Sequence, residues 1–188
     1  MKNFLALLVL TFATVMGVSA QMANMKSDGN PMVGGAAMYK TKNIVENAVN
    51  SKDHTTLVAA LKAAGLVDTL ASAGPFTVFA PVNSAFDKLP AGTVDTLLKP
   101  ENKGMLTKIL TYHVVAGNFD SKKIAKAIKK GKGTATFTTV AGGKLMAKME
   151  GKNLILTDEK GGTSMVTIAD VRQSNGVIHV IDTIVMPN

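Results

Sequence analysis

The chain has no cysteine and no tryptophan, and Arg172 is the sole arginine among its 21 basic residues. Without thiols there is no disulfide, no thiolate nucleophile and no soft sulfur ligand to complete a zinc set, so stability has to come from packing. A lone arginine disfavours phosphate and base recognition, which lean on the bidentate guanidinium fork. Seven phenylalanines and two tyrosines offer few platforms on which bases could stack. Specific nucleic-acid binding is therefore not expected. The formal charge of +8, carried by lysine, leaves a generic attraction to anionic surfaces.

Long apolar runs are also missing, with one short exception at the start. Met1-Lys2 is a positive opening, Phe4–Val18 is almost wholly apolar, and Val18-Ser19-Ala20 has the small-x-small pattern that signal peptidase reads. Residues 1–20 read as a signal peptide. The run is too short to cross a bilayer as a helix, and no later stretch approaches the roughly 20 residues required, so no transmembrane segment is expected. Residues 21–40, rich in Gly, Ala, Asn and Met, show no apolar period and read as a flexible leader. The thioethers of Met22, Met25, Met32 and Met38 raise the question of soft Cu(I) ligation there, against the plainer reading of a low-complexity linker. No cofactor is assigned.

Residues 41–188 are enough for one domain. Ile44, Val45, Ala48 and Val49, then Leu57, Ala60, Leu61 and Ala64, recur at helical spacing, with Asp53 as N-cap and Gly65 as C-cap of the second helix. Gly74-Pro75 breaks the chain before the extended run Phe76–Val82, and Asn83 is placed to cap a short helix after it. Met105, Leu106, Ile109 and Leu110 make another amphipathic face, and Ser121 opens a lysine-rich helix ending near Gly131. Beyond Thr134 the pattern changes to strands separated by Gly-rich turns, with Asn175-Gly176 as a hairpin signal before Val177–Met186. Helices first and strands later is an α+β order.

Phe76–Phe86 (FTVFAPVNSAF), Tyr112-His113 and Val177–Pro187 (VIHVIDTIVMP) resemble, in order and spacing, the two signature boxes and the central tyrosine-histidine pair of the fasciclin domain family. The resemblance extends from about Lys42 to Asn188. It implies a wedge of two antiparallel β-sheets packed by a cluster of helices, in a secreted or surface module associated with adhesion, with no general enzymatic activity or cofactor. In animal members the tyrosine-histidine region is linked to receptor binding.

The chemistry-bearing residues point the same way. His54, His113 and His179 are far apart in sequence, and neither a nucleophile elbow nor a phosphate-cradling loop is present. Asp158-Glu159 reads as a solvated turn. His179 shares one strand face with Val177 and Ile181, opposite Asp182, and is assigned a structural role, bonding Thr77 or Asn83 of the first box. Tyr112 and His113 admit two readings, a packed pair or a recognition site with one side chain facing water. Lys122, Lys126, Lys129 and Lys130 spread over the outer face of their helix, either as a solvated surface or as a dock for an anionic partner. Two functions are carried forward. One is a non-enzymatic attachment module in the periplasm or outside the cell, binding a surface protein or an anionic glycan. The other is a periplasmic small-molecule carrier with a cleft between helices and sheet.

Overall fold

The two extended segments a hundred residues apart lie side by side. β3 (Phe76–Pro81) and β9 (Gly176–Ile181) form a parallel pair in the computed structural model, with Phe76 opposite Gly176 and Pro81 opposite Ile181. The structure describes residues 29–188. The expected signal peptide and the first part of the leader lie outside the described residues.

All six residues of β9 are buried, as are five of the six in β3. This is why both read as continuous apolar runs: a strand covered on both faces has no polar side to show. Alternation still sorts the side chains. Val78, Ala80, Ile178 and Val180 face one core, while Phe79 and Ile181 face another. The first core is closed by α1 (Ile44–Ala48), α2 (Thr55–Ala64), α3 (Val67–Ala71) and α6 (Lys103–Tyr112), which contribute Ile44, Leu57, Leu61, Leu70, Leu106 and Leu110. The short helices α4 (Asn83–Asp87) and α5 (Thr93–Leu97) pack beside it.

β4 (Val114–Ala116), β5 (Thr134–Thr138), β6 (Lys144–Glu150), β7 (Asn153–Thr157) and β8 (Thr163–Gln173) complete a single seven-stranded sheet in the order β4-β3-β9-β8-β7-β6-β5. Every pairing but β3–β9 is antiparallel. The expectation of two antiparallel sheets is met in part: the pairing is mostly antiparallel, but the strands join in one sheet. β8 is eleven residues long and carries register shifts between Val166 and Val171. Such bulges bend a strand and sharpen its twist, so one strand serves both halves and the sheet curls on itself. Its ends nearly meet, through a bridge between Val115 and Thr139 and an N–H of Val140 donating to the Val114 carbonyl at 2.7 Å. The second core fills this near-barrel, and α7 (Ser121–Lys130) covers its open side.

Several local expectations shift. Part of the expected flexible leader is folded: β1 (Met32–Val33) and β2 (Ala36–Ala37) form a hairpin, and Val33 and Met38 are buried in the first core. Gly34 and Gly35 take φ of +57° and +76°, the left-handed pair that a two-residue hairpin turn demands. Two-residue strands are too short to display a period, which hid them. Met38, being buried, is also not available beside the exposed Met32 as a metal ligand. Asp53 lies in a 3-10 turn (Lys52–His54), and His54 occupies the N-cap position of α2. Asn83 does not cap its own helix: its Oδ1 accepts the N–H of Thr56 at 3.1 Å, satisfying the start of α2 instead. Gly65 does end α2, at φ +71°. The last strand stops at Ile181, short of Met186.

Gly176 is required by the close approach of the two signature strands rather than by its own conformation. A Cβ there would lie 2.1 Å from the Phe76 carbonyl oxygen. Gly176→Ala should therefore force the parallel pair apart at its entry and lower stability by about 1–3 kcal/mol, an overpacking cost read by urea denaturation. An unchanged midpoint would contradict this pairing.

Candidate functional site

The lysine-rich helix α7 begins at Asp120, whose carboxylate accepts the N–H of Lys123 at 2.9 Å as an N-cap. Ile124 and Ile128 are buried in the barrel core, and Ala127 packs beside them. With 100° of rotation per residue, Lys122, Lys126, Lys129 and Lys130 fall within an arc of about 100°, centred opposite the two isoleucines. All four are exposed.

The connection leading into this helix is held by both signature boxes. The Thr77 hydroxyl donates to the Gly117 carbonyl at 2.6 Å and accepts the Phe119 N–H at 2.8 Å. His179 Nε2–H donates to the Phe119 carbonyl at 2.8 Å, its Nδ1 accepts a long 3.4 Å contact from the Asp170 N–H, and its ring stacks on Phe79 with centroids 5.6 Å apart. His179 is fully buried, and burial lowers its pKa, keeping it neutral. Its partners are thus a loop carbonyl and a bulge amide, not Thr77 or Asn83. Thr77 cannot be its partner because its hydroxyl is already committed to residues 117 and 119.

Asp170, in the β8 bulge at φ +61°, accepts from both the N–H and the hydroxyl of Ser121. Arg172 pairs with Asp120 at 2.9 Å. The first turn of α7 is thereby tied to β8 at two points. Arg172 stood out in the sequence only as the lone arginine and Asp170 not at all, although an aspartate inside an apolar strand run is itself a bulge signal, since Asp tolerates the left-handed region.

Tyr112 and His113 are both interior, at 0% and 3% exposure, so neither faces water. The helical conformation continues through His113, the C-cap of α6, so the two side chains do not alternate as they would on an extended chain. The Tyr112 hydroxyl donates to the Lys144 carbonyl at 2.6 Å and accepts the Glu159 N–H at 3.2 Å, and burial pushes its pKa up to about 12. His113 Nδ1–H donates to the Ile109 carbonyl at 2.8 Å, while Nε2 accepts the Val185 N–H at 3.2 Å. Desolvation lowers its pKa to about 4. This pair fastens the barrel and the C-terminal segment to α6.

The Asp158-Glu159 turn is not solvated as expected. Asp158 is 4% exposed, and its carboxylate accepts from the N–H groups of Lys160, Gly162 and Met186, the last at 2.8 Å. Glu159 accepts from the amides of Lys144 and Asn188, which hold its carboxyl below the usual range. These acids bind the end of the chain. Among the described residues, no group of three or more His, Cys, Asp or Glu side chains is arranged to hold a metal.

The family model for the fasciclin domain matches residues 52–187. Protein sll1483 of Synechocystis is 44% identical over 167 residues, spanning 88% of this chain and 86% of that protein. The immunogenic protein MPB70 of Mycobacterium bovis is 39% identical over 145 residues, covering 74% of this chain and 66% of its own. The cell surface glycolipoprotein MPB83 of the same organism is 34% identical over 173 residues, covering 89% and 70%. Among solved structures, a FAS1 domain pair from the insect cell adhesion molecule fasciclin I superposes with a TM-score of 0.66 at 19% identity, over 76% of this chain and 50% of that one. That likeness speaks to fold. With parallel signature strands, a buried Tyr-His pair between them in sequence and a family match over most of its length, the chain belongs to the fasciclin domain family.

Proposed function

We propose that this protein is an exported, non-enzymatic attachment module that docks on an acidic surface of the cell envelope, on a protein or an anionic glycan, through the lysine face of α7. One observation carries the reading. Lys122, Lys126, Lys129 and Lys130 stand exposed on a helix pinned at its start, and the ion pairs among the described residues, Lys88–Asp182, Lys148–Glu150 and Arg172–Asp120, involve none of them. Their charge is uncompensated and free to act outward. The printed descriptions of the relatives, a cell surface glycolipoprotein and a cell adhesion molecule, support a surface role. In this reading Tyr112, His113, Thr77, Asn83 and His179 act as the frame that keeps the surface rigid. The signal peptide at 1–20 supplies export.

The carrier reading depends on room inside. The apolar cavity between α1, α2 and the sheet, bounded by Met38, His54, Leu57 and Phe79 among others, measures about 30 Å³. That volume holds about one or two waters, not an organic ligand, so carriage in this core would require the helices to part, and the larger recess beside α7 is an open surface groove, not an enclosed site. A filled core with a charged exterior favours attachment.

Attachment of the mature protein to its own envelope fraction should be strong at about 0.05 M salt and largely lost at about 0.5 M, where the screening length falls to roughly 4 Å. Attachment that ignores salt would remove the lysine face from the account.

A further inference from the structure

Beside α7 the end of the barrel core is left uncovered. Along β6, Leu145 and Ala147 are buried on the inward side, and Met149, the next inward position, is 43% exposed. It lines a groove with Leu154, Val166, Thr167 and Ala169 of the sheet, and α7 contributes Ser121, Lys122 and the small Ala125. Lys122 and Lys152 stand at the two sides, and neither belongs to an ion pair among the described residues. Lys126 and Lys129 do not line the groove but continue the helical stripe from Lys122, so a row of cations about 10 Å long runs on from its edge.

The lining decides between kinds of anionic partner. A glycan needs planar polar side chains or aromatic rings to grip its hydroxyls and ring faces, and this groove has neither; its two hydroxyls, on Ser121 and Thr167, are already donated to Asp170 and to the Val180 carbonyl. Point charges around an apolar recess suit instead a surface of negative headgroups above acyl chains. The inward face of α7 is occupied by the core, so the helix cannot insert and lies flat with its lysines against the phosphates.

We infer that the α7 groove seats this protein on an anionic phospholipid bilayer, with the lysine row on the headgroups and Met149 reaching into the acyl boundary. The inference rests on the lysine-face attachment proposed above and puts lipid headgroups in place of the protein or glycan named there. Each lysine held near an anionic leaflet raises partitioning about fivefold, so three acting together are worth about a hundredfold.

The test is co-sedimentation of the mature protein with phosphatidylcholine vesicles containing phosphatidylglycerol, with pure phosphatidylcholine vesicles and soluble dextran sulfate as the comparison arms. Lys122→Glu/Lys126→Glu/Lys129→Glu should lower binding to the mixed vesicles about a hundredfold. Met149→Ser should weaken vesicle binding several-fold and leave dextran sulfate binding unchanged, and both variants should keep the parent's melting temperature, since all four side chains are exposed. Lysine-dependent binding to dextran sulfate without vesicle binding would overturn the lipid inference and leave the attachment reading standing. Binding to neither would overturn the lipid inference and the anionic-glycan form of the attachment reading, and equal binding to neutral vesicles would overturn the role of charge.

Discussion

Stability should drop by about 3 kcal/mol as the pH is lowered from neutral to 4, because of His113 alone. In the folded protein this ring is enclosed, its Nδ1–H given to Ile109 and its Nε2 receiving the Val185 N–H. Desolvation lowers its pKa from 6.5 to about 4. In the unfolded chain the same ring takes up a proton near pH 6.5, so below that pH the unfolded state binds more protons and is favoured. The stabilisation is complete above pH 6.5 and is lost as pH falls through the window down to 4. His54 and His179 are lowered by burial in the same direction and add to the slope. The carboxylates held low by their hydrogen bonds, Asp120 and Glu159, contribute loss in the same sense at more acid pH. Urea midpoints measured from pH 7.5 to 4 check this. A flat profile would mean that His113 is not enclosed as described.

His179→Ala should cost about 3–5 kcal/mol, the range for removing a large core side chain together with its bonds. The substitution deletes the stacking partner of Phe79, leaves the Phe119 carbonyl without its donor, and opens a space where the wild-type ring is fully buried. Its effect has a location as well as a size. Residues 117–120, which His179 and Thr77 hold together, should become the first site of proteolytic nicking, ahead of the loops around β6 and β7. Unchanged thermal unfolding, or nicking that spares this connection, would contradict the role given to His179.

Much of this fold was legible because burial on both faces writes itself into composition. Phe76–Pro81 and Val177–Ile181 could be recognised as strands by their unbroken apolar runs, whereas their parallel pairing, a hundred residues apart, is in no local pattern. The lysine helix was legible for the opposite reason: half its surface faces water, so Ile124 and Ile128 stand out against a polar period. Hydrogen-bond partners were not readable, because they are set by tertiary geometry. His179 sits beside Thr77 in the parallel register only two positions apart (Val177 is opposite Thr77), yet Thr77 turns to the Gly117 loop. The burial of Asp158 was invisible for a similar reason: the amide it serves, that of Met186, is 28 residues away. The Met32–Ala37 hairpin went unseen because its strands are shorter than any period, with only the Gly34-Gly35 pair to mark it.

Under the proposed function, recognition belongs to the outer face of α7 and not to the interior Tyr-His pair. This is tested most directly by measuring retention of three immobilised proteins' envelope ligands side by side: the parent, Lys126→Glu/Lys129→Glu/Lys130→Glu, and Tyr112→Phe. The account predicts that charge reversal abolishes retention while the melting temperature holds, and that Tyr112→Phe retains the same components as the parent despite some loss of stability from the unpaired Lys144 carbonyl. Full retention by the charge-reversed protein, with loss confined to Tyr112→Phe, would contradict it.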